Sequence, residues 1–140
     1  MKRRVVITGC GVVTSLSCQV PDLWQRLLRG ESGVHTIKYF NTEGFKIKFG
    51  GDVWDWDPSA YITAKDAKRI DRFTQFAISA GTDAVNDAGI DFANEDPFRC
   101  GVIMGSGIGG LTEIETQVGR LIEKGPDRVS AMTIPKLMLN

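Results

Sequence analysis

The sequence predicts an α/β domain with parallel strands, and three observations carry that prediction. Val5-Val6-Ile7-Thr8 is a β-branched run ending in Gly9-Cys10-Gly11, which reads as a buried strand entering a tight turn. Phe73, Phe76, Ala77, Ala80, Ala84, Val85 and Ala88 recur at intervals of three and four, a helical stripe that Gly89 terminates. Cys100-Gly101-Val102-Ile103-Met104 reads as a second buried strand. It turns through Gly105-Ser106-Gly107-Ile108-Gly109-Gly110 into a helix with the face Leu111, Ile114, Val118, Leu121 and Ile122. Strand, helix, strand, helix in this order implies a layered sheet.

The remaining elements follow in chain order. Pro21 and Asp22 open a short helix with Leu23, Trp24, Leu27 and Leu28 on its apolar face and Gly30 as its stop. From Glu31 to Pro58 the pattern is irregular. Phe45, Ile47 and Phe49 alternate with Lys46 and Lys48 as in a half-exposed strand, before Gly50-Gly51 and the Trp54/Trp56 pair. The alanine-rich stripe of the long helix calls for something packed close against it. A polar loop containing Pro97 leads to the second strand, Gly125-Pro126 ends the following helix, and Ile134 to Asn140 begins a further apolar element. Two core strands leave both sheet edges open, so the chain reads as the front part of a larger protein with an incomplete sheet.

Composition narrows the function classes. The 140 residues carry 17 Lys+Arg against 17 Asp+Glu, so no cationic excess marks a nucleic-acid or acidic-membrane binder. The apolar stretch Val5 to Val13 falls short of the ~18 residues of a spanning helix, and no cleavage site makes Lys2, Arg3 and Arg4 the start of a signal peptide. Three unpatterned cysteines, Cys10, Cys18 and Cys100, give neither a disulfide framework nor a metal site and fit a reducing cytoplasm. Glycine is in excess: 16 residues, about 11% against a typical ~7%.

Three features could carry chemistry. The turn from Gly105 to Gly110 satisfies G-x-G-x-x-G between a strand and a helix. A dinucleotide site would need an acidic residue at the end of a second strand about twenty residues on, and here that distance is spent inside a helix. The alternatives are steric: close approach of another backbone or a thin ligand chain, with Ile108 the one bulky side chain, or simply a turn needing positive φ. Lys65, Lys68, Arg69 and Arg72 share one face if the long helix extends back to Thr63, which is either a docking stripe for an acidic partner or a solvated face tempered by Asp66 and Asp71. Nucleophile candidates are weak: nothing visibly orients the single His35, and Cys10 and Cys100 read as small buried hydrophobes.

Taken in order, Val5 to Val13, Gly30-Glu31-Ser32-Gly33-Val34 with Ile37 and Phe40, the helix start from Lys65 to Phe73, Gly101 to Leu111, and Ile134-Pro135 with Asn140 resemble the β-ketoacyl-acyl-carrier-protein synthases, most of all the type II bacterial elongation class. The resemblance implies a thiolase-like fold, of which residues 1–140 would be the N-terminal part of the first layered half, ending before the catalytic Cys. It implies an acyltransferase of fatty acid biosynthesis, condensing an enzyme-bound acyl group with malonyl-acyl-carrier protein, cytoplasmic, homodimeric and without cofactor or metal. No catalytic residue would lie in this segment. Gly107, Ile108 and Leu111 would border the acyl pocket, with Ile108 as its gate, and Thr133 and Ile134 would reach the neighbouring subunit's pocket. Lys65, Lys68, Arg69 and Arg128 would meet the acidic carrier protein. The chain departs from the family where Ser15 and Ser17 replace a usual Pro and Gly, and where Ala131, Met132 and Thr133 replace Pro and aromatic residues. A non-catalytic ketosynthase-like partner subunit is the alternative, and a dinucleotide-binding domain the minor one.

Overall fold

The computed structural model describes residues 3–138, and the chain divides into two compact units: Met1–Asp57 with Ser79–Ile90, and Pro58–Ile78 with Asp91–Asn140. The expected features at Lys2 and Asn140 lie outside the described residues.

In the first unit, α1 spans Val20–Leu28 with Pro21 in its opening turn, where a missing N–H costs nothing. Asp22 and Arg26 pair at 2.9 Å one turn apart. Gly30 at φ 70° lets its own N–H reach the Leu27 carbonyl and the Glu31 N–H reach that of Arg26, the paired closure that ends a helix on a left-handed glycine. In the preceding turn, which carries Ser15 and Ser17, Thr14 makes the closure, its Oγ1 donating to the Ser17 carbonyl at 2.7 Å and accepting from the Ser17 N–H at 3.1 Å.

The sheet among the described residues is small. β1, His35–Thr36, pairs antiparallel with β2, Phe49–Gly50, in the register His35 opposite Gly50. Of the expected strand around Phe45 to Phe49 only Phe49 falls within β2, with the Lys48 carbonyl before it accepting from the Ile37 N–H at 2.9 Å. Phe45, Ile47 and Phe49 are all exposed, so the alternation does not separate core from solvent. The two runs read as buried strands are not assigned to strands, and the parallel pairing expected of them is not seen. Val5 and Ile7 are 93% and 86% exposed, Val102 and Ile103 87% and 98%. The physical reason is that a strand exists only by its ladder partner, which β-branched side chains favour but cannot supply.

The long helix is α3, Arg72–Ala88, whose residues from Ser79 onward belong to the first unit. Its alanine stripe is met closely, as the sequence demands. Gly9 lies against the carbonyl of Ala84 and against Ala88, and Gly11 against the carbonyl of Ala80 and the backbone of Ala84. Glycines two apart present the same face of an extended segment, so both α-carbons approach the helix, while the Cys10 N–H between them donates to Asp87 at 2.9 Å. Ser79 is fully buried, and Gly89 ends the helix at φ 63°.

In the second unit the predicted extension of the long helix back to Thr63 is interrupted. A separate α2, Ala64–Ala67, is capped by Thr63, which accepts from the Asp66 N–H. Residues 68–71 break the helix before α3 restarts at Arg72, whose N–H Asp71 accepts at 2.6 Å. Gln75 reaches back across the break to the Ala67 carbonyl at 2.9 Å. α4 covers Leu111–Lys124 and stops at Gly125, φ 81°, before the turn Pro126–Arg128. α5, Thr133–Leu137, is the start of the apolar element expected from Ile134. Gln117 of α4, almost fully buried, ties the unit together by donating to Glu113 at 2.8 Å and accepting from the Ser130 N–H at 2.9 Å. Ile62, 8% exposed, is the one deeply buried apolar side chain among the described residues.

Candidate functional site

The glycine turn divides into two halves. Gly109 has φ 79° and faces the Leu137 carbonyl, while Gly110 abuts the Asp71 carboxylate and the Lys136 carbonyl and donates its N–H to Leu137 at 3.1 Å. These two glycines are there for backbone approach, by α5. Gly105 and Gly107 have no neighbour that a side chain would meet, and between them and the packed pair Ile108 stands 70% exposed. The Gly109 N–H is taken by Ser106 Oγ at 2.9 Å. The amides of Gly109 and Gly110 therefore already serve internal acceptors, whereas a phosphate cradle needs such amides free.

α5 brings Thr133 beside this turn's helix. Thr133 lines an apolar groove of about 310 Å³ with Ile114, Val118, Leu121, Val129 and Leu137. Thr133 Oγ1 donates to the Ser130 carbonyl at 2.6 Å, so its methyl is the part left for apolar contact. Ile108, Leu111 and Ile134 stand exposed outside that groove.

Of the cationic stripe, Lys65, Lys68 and Arg69 are exposed, and Arg69 lies 4.0 Å from Asp66. Arg72 leaves it: half-buried, its guanidinium lies 5.0 Å from the Phe76 ring. The stripe is thus three residues on and after a short helix, and the reading of four on one continuous helix is corrected by the break at 68–71. Arg128 is exposed and shares a concavity with Arg120 and Lys124. Sequence reasoning missed those two, although the spacing 120, 124, 128 was there to be seen.

His35 is oriented after all. Its Nε2 lies 2.8 Å from Asp52 Oδ1 and its Nδ1 3.1 Å from the Gly33 carbonyl. Desolvation pushes the Asp52 carboxyl up. The Lys38 and Tyr39 N–H groups at 3.0 and 2.9 Å, with His35, outweigh this and hold it below its usual range. Cys18 lines the same polar cavity, but burial pushes its thiol up, against a hydrogen bond with the backbone of Thr14 and with Asp55 adding to the rise. Burial works against thiolate formation at Cys18, and both His35 nitrogens face acceptors, so the cavity they share holds no activated nucleophile. Cys10 and Cys100, expected to be buried, are exposed. Among the described residues no group of three His, Cys, Asp or Glu could hold a metal ion, and no helix is long and apolar enough to cross a membrane.

Comparison with known proteins gives this arrangement its context. Residues 2–139 match the family described as Beta-ketoacyl synthase, N-terminal domain. The 3-oxoacyl-[acyl-carrier-protein] synthase 2 of Vibrio harveyi is 42% identical over 139 residues, and that of Vibrio cholerae 43%; each alignment covers 99% of this chain and 34% of the relative. Among solved structures, one described as the ishigamide ketosynthase/chain length factor superposes with a TM-score of 0.86 at 29% identity, over 99% of this chain and 34% of that one. The chain thus spans about a third of the length of the relatives it matches, and its fold is the N-terminal part of the thiolase-like ketosynthase fold. The exposed apolar runs and the small sheet belong to that part. This chain is a member of the β-ketoacyl synthase family, matching its N-terminal domain.

Proposed function

We propose that the chain is the N-terminal portion of a cytoplasmic, homodimeric 3-oxoacyl-acyl-carrier-protein synthase, and that it supplies pocket and docking residues rather than the reacting groups. In the proposed reaction, malonyl-carrier protein loses carbon dioxide. The resulting carbanion attacks the carbonyl of an acyl thioester on the enzyme, forming a carbon–carbon bond and releasing the enzyme thiolate. The observation that carries the reading is the match along residues 2–139 together with 42% identity to a synthase of that name.

Within it, Ile108 gates the acyl pocket, with Gly107 and Leu111 beside it. The side of the turn that packs against nothing, Gly105 and Gly107, leaves room for an acyl chain to pass. Thr133 and Ile134 reach toward a neighbouring subunit's pocket. Lys65, Lys68, Arg69 and Arg128 dock the acidic carrier protein, to which their exposure leaves them accessible. Condensation needs a nucleophile, a proton handler and an oxyanion site converging on one carbon, and neither Cys18 nor His35 meets that demand. The purified chain mixed with acyl- and malonyl-carrier protein gives no condensation product; turnover that survives removal of contaminating full-length enzyme overturns the proposal.

A second reading is a non-catalytic ketosynthase-like subunit that completes an active partner. It is favoured by the likeness to a ketosynthase/chain length factor. The gene beyond Asn140 separates the two readings: a cysteine in a Thr-Ala-Cys-like context followed by two histidines supports the enzyme, and their absence the partner.

A further inference from the structure

Asp71 lies in the break between α2 and α3, and its two carboxylate oxygens serve different ends. Oδ1 accepts the Arg72 N–H at 2.6 Å, at the start of α3. Oδ2 is buried, and among the described residues no donor bonds to it. It occupies the place that a side chain at Gly110 would take, next to the Lys136 carbonyl and Leu137 of α5.

Starting α3 does not account for this placement. Ser, Thr or Asn begins a helix as well as Asp does, and a buried oxygen without a donor costs free energy that a smaller residue avoids. Gly110 directly precedes α4, no side chain caps that helix, and the positive end of its dipole favours a nearby carboxylate. The dipole accounts for the charge. It does not account for an approach so close that any side chain at 110 must displace something. The opposite flank of Ile108 is open, since a side chain at Gly105 or Gly107 would meet nothing within 4 Å. Retreat of the turn from that open flank is therefore blocked at Gly110, and Asp71 Oδ2 is the nearest atom in the way.

We infer that Asp71 is a positioning residue for acyl-length selection: its second carboxylate oxygen fills the space behind Gly110 and so sets how far Ile108 stands back from a passing acyl chain. The inference rests on the proposed role of Ile108 as the acyl gate. Removing the carboxylate leaves space into which the turn settles, which widens the passage. A methyl added at Gly110 pushes against the same oxygen and narrows it.

The test uses the full-length protein and the ratio of kcat/KM for long against short acyl-carrier-protein substrates. A smaller folded fraction lowers both values alike and leaves that ratio unmoved. Asp71→Ser, which keeps a hydroxyl able to start α3, raises the ratio about threefold. Asp71→Asn, of nearly the same shape, holds it within about 1.5-fold of wild type. Gly110→Ala lowers it about threefold and supplies the readout if Asp71→Ser misfolds. Asp71→Ser/Gly110→Ala returns the ratio toward the wild-type value, because the added methyl takes the vacated space. An unmoved ratio in Asp71→Ser and Gly110→Ala, while Ile108→Phe lowers it, overturns the positioning role and leaves the gate standing. An unmoved ratio in all of them, Ile108→Phe included, overturns both. Equal shifts in Asp71→Asn and Asp71→Ser also overturn the positioning role, since lost charge and not lost bulk would then be the cause. So does a double variant no closer to wild type than either single one, because the two residues would then not share the contact.

Discussion

Two glycine-bearing segments, each following a β-branched apolar run, meet the rest of the molecule differently. At Gly9 and Gly11 both glycines lie against a helix backbone, and the stripe of Ala80, Ala84 and Ala88 is the matching half of the contact. At Gly105 to Gly110 only the last two glycines are packed, by α5, and the first half of the turn faces open space beside an exposed Ile108. The difference teaches that glycine excess has two causes here. Where the counterpart is a small-residue helix the glycines close the fold, and at Gly105 and Gly107 a side chain would meet open space.

Added volume distinguishes the two segments most sharply. Gly11→Val drives a side chain into the Ala80 carbonyl and the Ala84 backbone, which cannot retreat without moving α3, and should cost about 3 kcal/mol in chemical denaturation. A loss under about 0.5 kcal/mol, the size of an ordinary surface substitution, would show that the close packing is not needed. Gly110→Ala meets the Asp71 carboxylate and the Lys136 carbonyl, one of them on a movable side chain, so a smaller loss of about 1–2 kcal/mol is expected.

A smaller effect, confined to acid, is expected in the first unit at Asp52. Its folded value lies below the ordinary 3.8, so its contribution is complete above that range and is lost as the pH falls through the folded value. Asp52→Asn should flatten the acid limb of the stability profile, measured by melting between pH 2 and 7; an unchanged limb would mean that the contacts to Lys38, Tyr39 and His35 add nothing. Smallest of all, Gly105→Ala and Gly107→Ala should leave stability within about 0.5 kcal/mol, and a loss comparable to that of Gly11→Val would erase the distinction between the two segments.

Much of this was legible in the residues because it is local. α1, α3 and α4 carry their own periodicity, and Gly30, Gly89 and Gly125 stop them at positive φ. The need for a close neighbour along the alanine stripe could be read, but not that Gly9 and Gly11 supply it, because that pairing joins residues some seventy positions apart. Strands failed for the same reason: Val5 to Thr8 and Cys100 to Met104 have strand-forming side chains, but pairing is a property of two segments. The break between α2 and α3 was missed although Thr63 and Asp71 are both residues that start helices, because the charge stripe suggested continuity. His35 appeared unoriented since Asp52 lies seventeen residues downstream, held opposite it by the β1–β2 pairing. At the glycine turn, the motif pointed to a crowded or liganded backbone. Which glycines were crowded depended on α5, beyond any local pattern.

The central functional claim is that the open half of the turn and Ile108 border an acyl pocket, and the acyl-length profile of the full-length protein tests it most directly. With Ile108→Phe, condensation rates measured across acyl-carrier proteins of increasing chain length should fall about tenfold for the long acyl groups, as an overfilled site costing about 1.4 kcal/mol would give, with short groups nearly unaffected. A uniform fall across all lengths, or none, would contradict the account.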